Sequence, residues 1–396
     1  MSLIERSWQR RWAYWLPPFP LLLIPAALFG AVVALRRGLY RAGLMPRARL
    51  PVPVIVVGNI GVGGNGKTPF TQWLVELLRD RGYRPAVLSR GYGARKGPRP
   101  LRVDASLGAA DCGDEPLLIA QTTGAPVYVD AKRVRAGRRA IADGADVLVC
   151  DDGLQHYRLR RDIEIVLVDG ERRFGNGLPL PAGPLREPRS RLAEADFVVI
   201  KETLKYSAFP SGEGGPGVNR GREPSIHGAP RGRVPRGCEP KNSREGIFRH
   251  CIEGSGAPGE TVMRFGNFRL RRLANGALFE PATFSGRRVH AIAGIAAPSG
   301  FFEQLRGLGM TVIEHPHPDH AQLREQMLDF GDDLPVVMTG KDAVKCRPFA
   351  HSRCFVLDFD VQLDDAFAAR LLEKLGHGQE TARHPGVPAV QGSARV

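Results

Sequence analysis

Eight consecutive residues limit most sharply what this chain can fold into: positions 61–68 read GVGGNGKT. They follow the apolar β-branched run Val54–Val57 and precede Pro69–Arg81, whose apolar residues recur at the spacing of an amphipathic helix. A strand, a glycine-rich turn and a Lys-Thr pair opening a helix form the context that G-x-x-x-x-G-K-[ST] needs to hold phosphate. Gly61, Gly63, Gly64 and Gly66 let the backbone curl, so that N–H groups along the loop, Val62 and Asn65 included, face phosphate oxygens. The helix that follows adds its positive end. In such a loop Lys67 reaches the β- and γ-phosphates and the Thr68 hydroxyl ligates Mg2+. A chance glycine-rich turn is the alternative, and the flanking strand and helix argue against it.

The surrounding pattern is that of an α/β protein. Ala86–Leu88, Val127–Val129, Val147–Cys150, Ile163–Val168 and Phe197–Ile200 read as short strands, apolar on both faces and separated by helical stretches. This predicts a parallel sheet, of the kind found in P-loop nucleotide hydrolases, covered by helices on both sides. A later set, Val289–Ala293, a helix near Gly300–Leu308, Thr311–Glu314, Val336–Thr339 and Phe355–Phe359, predicts a smaller second α/β unit. The run DVLVCDD at 146–152 is a strand ending in carboxylates, the second half of a P-loop site, with Asp151 and Asp152 as Mg2+ candidates. On an extended chain the two face opposite ways, so one approaches the metal more closely. A solvated acidic turn is the alternative. No NKxD string is present, and TGKD at 339–342 lacks the Asn, which favours ATP over GTP.

Near the amino terminus, Trp12–Leu35 contains no charged residue and is flanked by Arg10 and Arg11 before it and Arg36, Arg37 and Arg41 after it. The stretch is long enough for a bilayer, which takes about 20 residues. Pro17, Pro18, Pro20 and Pro25 and the arginines on both flanks also suit a helix lying in the membrane interface. A buried core helix is the third reading, and no cleavage site for a signal peptide follows. The balance of 56 Lys plus Arg against 41 Asp plus Glu gives a net charge of +15, which favours anionic partners. No nucleic-acid recognition motif accompanies it. The 6 cysteines form no CxxC pair, which speaks against a zinc site or a disulfide scaffold and suits a reducing compartment. The expected organisation is an apolar membrane-associated segment over 1–50, a P-loop core over 51–204, an insertion over 205–260, a smaller α/β unit over 261–375 and a tail over 376–396. The insertion has 12 Gly and 7 Pro, a composition of linkers and disordered segments.

Taken together, GNIGVGGNGKTP (58–69), LSRGYG (88–93), GDEP (113–116), DDGLQH (151–156), AGI (293–295), HPDH (317–320) and KDAVKC (341–346) occur in an order that resembles the tetraacyldisaccharide 4′-kinases, the lipid A 4′-kinases of Gram-negative bacteria. The resemblance implies a monotopic enzyme on the cytoplasmic face of the inner membrane, acting as a single chain. It would use ATP and Mg2+ to phosphorylate the 4′-hydroxyl of a tetraacylated glucosamine disaccharide 1-phosphate, and its partners would be that lipid and the membrane surface, without nucleic acid. It carries a catalytic Asp–His dyad onto Asp114 and His320, and places Arg90, Glu115, Asp151, Asp152, Gln155 and His156 at the site. The chain departs from the family at AGIAAP, where Ala296 and Ala297 replace Gly and Asn, at TGKD, where Gly340 replaces Glu, and at KETL after Ile200.

Residue by residue, each candidate also has a plainer reading. Asp114 alone reads as an exposed loop carboxylate and Glu115 as a surface residue at a helix start. Arg90 reads as a strand-end arginine facing solvent. His320 reads as an ordinary loop histidine or, with His315 and His317, as part of a metal cluster. Gln155 and His156 read as groups that orient the Asp pair or bind their own turn. Rival functions are a membrane-bound partner-switching ATPase, against which Val62 counts because a second loop Lys is expected there, and a P-loop ligase that forms an acyl phosphate.

Overall fold

In the computed structural model, the described residues are Trp8, 19–95, 97–104, 106–202 and 260–383. Apart from Glu260, the expected insertion lies outside them, as do Trp12–Pro18 of the apolar segment and residues 384–396 of the expected tail.

The first described helix, α1 (Phe19–Arg41), is long and apolar enough to cross a membrane, and nearly all of it is exposed. Leu21, Ile24, Leu28 and Leu35 face outward, so α1 is not a buried core helix. Ala26 is buried against Ala182, Leu22 and Leu178, Tyr40 is buried beside Tyr157, and the helix end is tied down by Arg37 and Arg41 pairing with Glu194.

Behind it the predicted strands form, with an additional one, β3, that the sequence did not signal: β1 (Val54–Gly58), β2 (Pro85–Ser89), β3 (Leu101–Val103), β4 (Val127–Val129), β5 (Val147–Cys150), β6 (Ile163–Asp169) and β7 (Phe197–Lys201). Strands β4, β2, β5, β1, β6 and β7 lie side by side and parallel, with β3 antiparallel at the edge. Helices cover both faces: α2 (Lys67–Asp80), the short α3 (Ala109–Cys112), α4 (Asp114–Thr123) and α5 (Arg133–Ala142). Alternation along β1 divides the core. Ile55 and Val57 join Phe70, Leu74 and Ile119 on one face, and Val54 and Val56 join Ala136, Ala140 and Leu148 on the other. Each of these buried Val, Leu, Ile or Phe side chains contributes about 1.5–3 kcal/mol.

β8 (Glu260–Arg272) joins the two sets of strands. Its first residues pair parallel with β7, and the remainder pairs antiparallel with β13 (Cys354–Gln362) and with the short β9 (Leu278–Phe279). Beyond β13 run β12 (Val336–Met338), β10 (Arg288–Ala293) and β11 (Thr311–Pro316), all parallel, with α6 (Pro298–Gly307) and α7 (Gly340–Cys346) between them. The last helix, α8 (Asp365–Arg383), continues into the stretch expected as a tail, and it packs Phe367, Leu371 and Leu375 into the core of the first set. Because ligands of open α/β sheets bind outside the carboxyl ends of strands, the loops after β1, β2, β5, β10, β11 and β12 are where a site is expected.

Candidate active site

Those loops line one cleft of about 2310 Å³. Gly61–Thr68, Arg90, Asp114, Glu115, Asp151, Asp152, Gln155, His156 and His320 all contribute to it. β1 and β5 are neighbours, so the phosphate loop and the Asp pair arise at the same edge. Gly66 caps α2 at φ +77, a left-handed backbone that favours glycine, and a Cβ there would also press on the Met263 methyl at 2.8 Å. The loop's other side is fixed by the Val62 N–H, which donates to the Pro184 carbonyl at 2.8 Å. No acidic residue occupies the first turn of α2, which leaves its positive end uncompensated.

The two aspartates sit in the turn after β5 rather than on an extended chain, and both line the cleft, in different settings. Asp151 is buried and accepts from the Thr71 hydroxyl at 3.2 Å. Burial, with the charges of Glu115 and Asp152, raises its pKa. Asp152 takes a left-handed backbone, φ 47, and lies 3.6 Å from Lys67 Nζ and 3.2 Å from Arg186. Burial opposes its ionisation, but Lys67 and Arg186 hold its pKa below the usual carboxylate range. Arg186 had no signal in the sequence. It is delivered by a segment whose backbone N–H donates to the Ile60 carbonyl.

Asp114 and His320, 206 residues apart, meet: His320 Nδ1 lies 3.1 Å from each carboxylate oxygen. Asp114 is therefore not an exposed loop residue. It is 6% exposed at the start of α4, where its Oδ1 accepts the Glu115 N–H at 3.0 Å. Gly113, at φ +96, makes this turn against the Tyr92 carbonyl, so the SRGYG and GDEP loops cross there. His320 also has a left-handed backbone, φ 61, a cost that such residues usually bear at functional sites. Burial would raise the pKa of Asp114; the His320 hydrogen bond and the charges of Lys341 and Lys345 outweigh it and lower it. His320 is raised by its bond to Asp114, against burial and the Lys341 charge. The Tyr92 ring leans on the imidazole, with centroids 4.9 Å apart.

The imagined His315–His317–His320 metal cluster does not assemble. His315 Nε2 instead faces His290 Nδ1 at 2.9 Å, and both rings stack on Phe330. Among the described residues no group of three or more His, Cys, Asp or Glu is placed to hold a metal ion. Arg90 is exposed in the cleft and makes no hydrogen bond or ion pair among the described residues. Glu115 accepts from Lys341 Nζ at 3.1 Å. Gln155 donates to the Asn59 carbonyl and to Glu187 at 2.9 Å, bracing the turn behind the phosphate loop. Burial, with Arg133 and Arg161 nearby, lowers the His156 pKa to about 4, so this side chain is neutral. Lys341 had no functional signal in the sequence beyond the KDAVKC string. Four described cysteines, Cys112, Cys150, Cys346 and Cys354, are free and buried.

The tetraacyldisaccharide-1-P 4′-kinase family model matches residues 19–231 and 236–376. A tetraacyldisaccharide 4′-kinase of Stenotrophomonas maltophilia is 44% identical over 365 residues, 91% of this chain and 95% of its own length. That of Alkalilimnicola ehrlichii is 44% identical over 375 residues, 94% of this chain and 96% of its own. A crystal structure of LpxK from Aquifex aeolicus in complex with ATP superposes with a TM-score of 0.67 at 27% identity, covering 91% of this chain and 99% of that one. With its phosphate loop, its DDGLQH turn and relatives matched along nearly their whole length, the chain belongs to the tetraacyldisaccharide 4′-kinase family.

Proposed function

We propose that the chain transfers the γ-phosphoryl group of ATP to the 4′-hydroxyl of a tetraacylated glucosamine disaccharide 1-phosphate, a step of lipid A biosynthesis. The observation that carries the reading is that Asp114, hydrogen-bonded to His320, lines the same cleft as Lys67 and its glycine loop.

Phosphoryl transfer passes through a loose transition state, so alignment and charge neutralisation matter more than covalent chemistry. The backbone N–H groups of 61–68 bind the β- and γ-phosphates together with Lys67, except those of Val62 and Asn65, which, against the expectation from sequence, donate to the Pro184 and Gly63 carbonyls. Thr68, Asp151 and Asp152 are the residues that would hold Mg2+. They offer the hard oxygen donors this ion takes, and Asp151, whose pKa is pushed up by burial and then by the charges of Glu115 and Asp152, is a buried carboxyl that a cation would compensate. Magnesium bound there supplies neutralisation of the phosphate oxygens. Asp114 accepts the proton of the 4′-hydroxyl as its oxygen bonds to the γ-phosphorus and the bond to the β–γ bridging oxygen breaks, releasing ADP. His320 orients the carboxylate for that task. Arg90, without a partner of its own, offers a planar fork to the transferring phosphoryl group or to the substrate's phosphate. We assign Gln155 and His156 to support of the Asp151–Asp152 turn.

The exposed apolar face of α1 suits a membrane surface, the inner membrane's cytoplasmic face, where an acylated substrate resides. The test is incubation of the purified chain with γ-labelled ATP, Mg2+ and the disaccharide monophosphate in mixed micelles. Label is expected in the lipid. Label found only as free phosphate would point to an ATPase and overturn the reading.

A further inference from the structure

Lys341, the second residue of α7, makes more polar contacts around the Asp114–His320 pair than any role above uses. Its Nζ lies 2.9 Å from Asp319, 3.1 Å from Glu115, 3.4 Å from His320 Nε2 and 3.9 Å from Asp114. The side chain is only 13% exposed. Its backbone is held firmly. Thr339 caps α7, and the fully buried Asp342 accepts from the Gly294 N–H at 2.8 Å and the Thr339 hydroxyl at 2.7 Å. Burial works against the charge of Lys341, but Glu115, Asp114 and Asp319 raise its pKa, so it is an ammonium ion.

An ammonium group has three donors and no acceptor. His320 Nε2, facing it, engages it only through a lone pair. The imidazole proton therefore sits on Nδ1, where it is donated to Asp114. We infer that Lys341 is a positioning residue that opposes protonation of His320 and holds its proton on Nδ1, so that Asp114 remains an oriented, unprotonated base for the sugar hydroxyl. The inference rests on the reading of Asp114 as that base and deepens it.

The charges around His320 are finely opposed. From α4, Asp114 favours the imidazolium, and a full imidazolium–carboxylate pair would weaken Asp114 as a proton acceptor. From its own loop, Asp319, 3.8 Å from Nε2, pulls the same way. Lys341 pushes against both. Glu115 directs its charge to Lys341, Lys345 lies 3.9 Å from Asp114 one turn along α7, and the Tyr92 ring covers the imidazole without charge.

Two substitutions move this balance in opposite directions. In K341M the cation is lost, His320 protonates more readily, and the acid limb of the kcat–pH profile for lipid phosphorylation moves up. A shift of about one pH unit means roughly tenfold slower turnover at pH values on the acid limb itself, regained on the alkaline side. In D319N a carboxylate is lost and the limb moves down. K341R keeps the charge and a limb near that of the parent. ATP affinity, measured by calorimetry on each purified protein, stays unchanged. A folded K341M with the parent's limb, an equal loss at every pH, or limbs of K341M and D319N moving together overturns the inference. If K341M does not fold, D319N decides: a limb that stays or rises overturns it. A parent chain that phosphorylates no lipid sinks the functional reading instead, which keeps the two failures distinct.

Discussion

Replacing Asp114 by asparagine separates charge from geometry. The amide oxygen still accepts the Glu115 N–H, now at 3.0 Å, and the His320 Nδ1–H, now at 3.1 Å, so the side chain keeps its place. What is lost is the group that takes a proton. General-base catalysis contributes about 10²–10⁴-fold, equivalent to about 2.7–5.4 kcal/mol of barrier. Lys341 and Lys345 each lose a carboxylate 3.9 Å away, but Lys341 keeps Glu115 and Asp319, and Lys345 keeps Asp342 at 2.9 Å. The stability loss is therefore below about 2 kcal/mol. The polar partners of Asp114 lie on α4, α7 and the His320 loop rather than on 61–68, so ATP affinity changes by less than about twofold. Initial rates of lipid phosphorylation, with ATP binding measured by calorimetry, give both quantities. A rate within tenfold of the parent, or a loss of ATP binding matching the loss of rate, refutes Asp114 as the base.

The same pair makes stability depend on pH. The folded pKa of Asp114 is lowered, so its contribution is present above the unfolded value of 3.8 and is lost as pH falls through the folded value. That of His320 is raised, so its contribution is full below 6.5 and is lost as pH rises through the folded value. The Tm difference between parent and D114N is thus expected to be largest between about pH 4 and 6.5 and to narrow toward pH 9; a difference growing on the alkaline side contradicts the pairing. Replacing Asp342 by alanine strands the Gly294 N–H and takes from Lys345 its carboxylate at 2.9 Å, leaving it the Ala321 carbonyl at 3.1 Å and Asp114 at 3.9 Å. Urea unfolding should register a loss of about 1–3 kcal/mol. Replacing Gly113 by alanine puts a Cβ 3.0 Å from the Tyr92 carbonyl at φ +96 and costs roughly 1–3 kcal/mol; because Asp114 is the next residue, kcat is expected to fall while ATP binding holds.

The phosphate loop and the DDGLQH carboxylates could be read from sequence because their chemistry sits in consecutive residues after a strand buried on both faces. Most strands of both sets were legible for the same reason: Val127–Val129 and Val147–Cys150 occur as predicted. β8 was not. It has no uniform period, since its first residues are buried in one set of strands and the rest face a cleft in the other. The docking of α8 on the first core was hidden too, because a helix's apolar stripe does not say which sheet it meets. In the site, Asp114 and His320 were legible only through resemblance to a family; alone, each is a common loop residue. Lys341 and Arg186 were missed because what defines them is distant in sequence. Lys341 meets Glu115 across 226 residues and Arg186 meets Asp152 across 34. No local pattern marks a lysine as the neighbour of an imidazole.

The most direct test is a single turnover, with ATP·Mg preloaded on the enzyme and the tetraacyldisaccharide 1-phosphate added in micelles. The lipid is then recovered and the position of its phosphates is read by ³¹P–¹H correlation. The account predicts a second phosphomonoester on the 4′-oxygen with the parent chain and almost none with D114N. Phosphate passed to water, to another hydroxyl, or equally well by both proteins would contradict it.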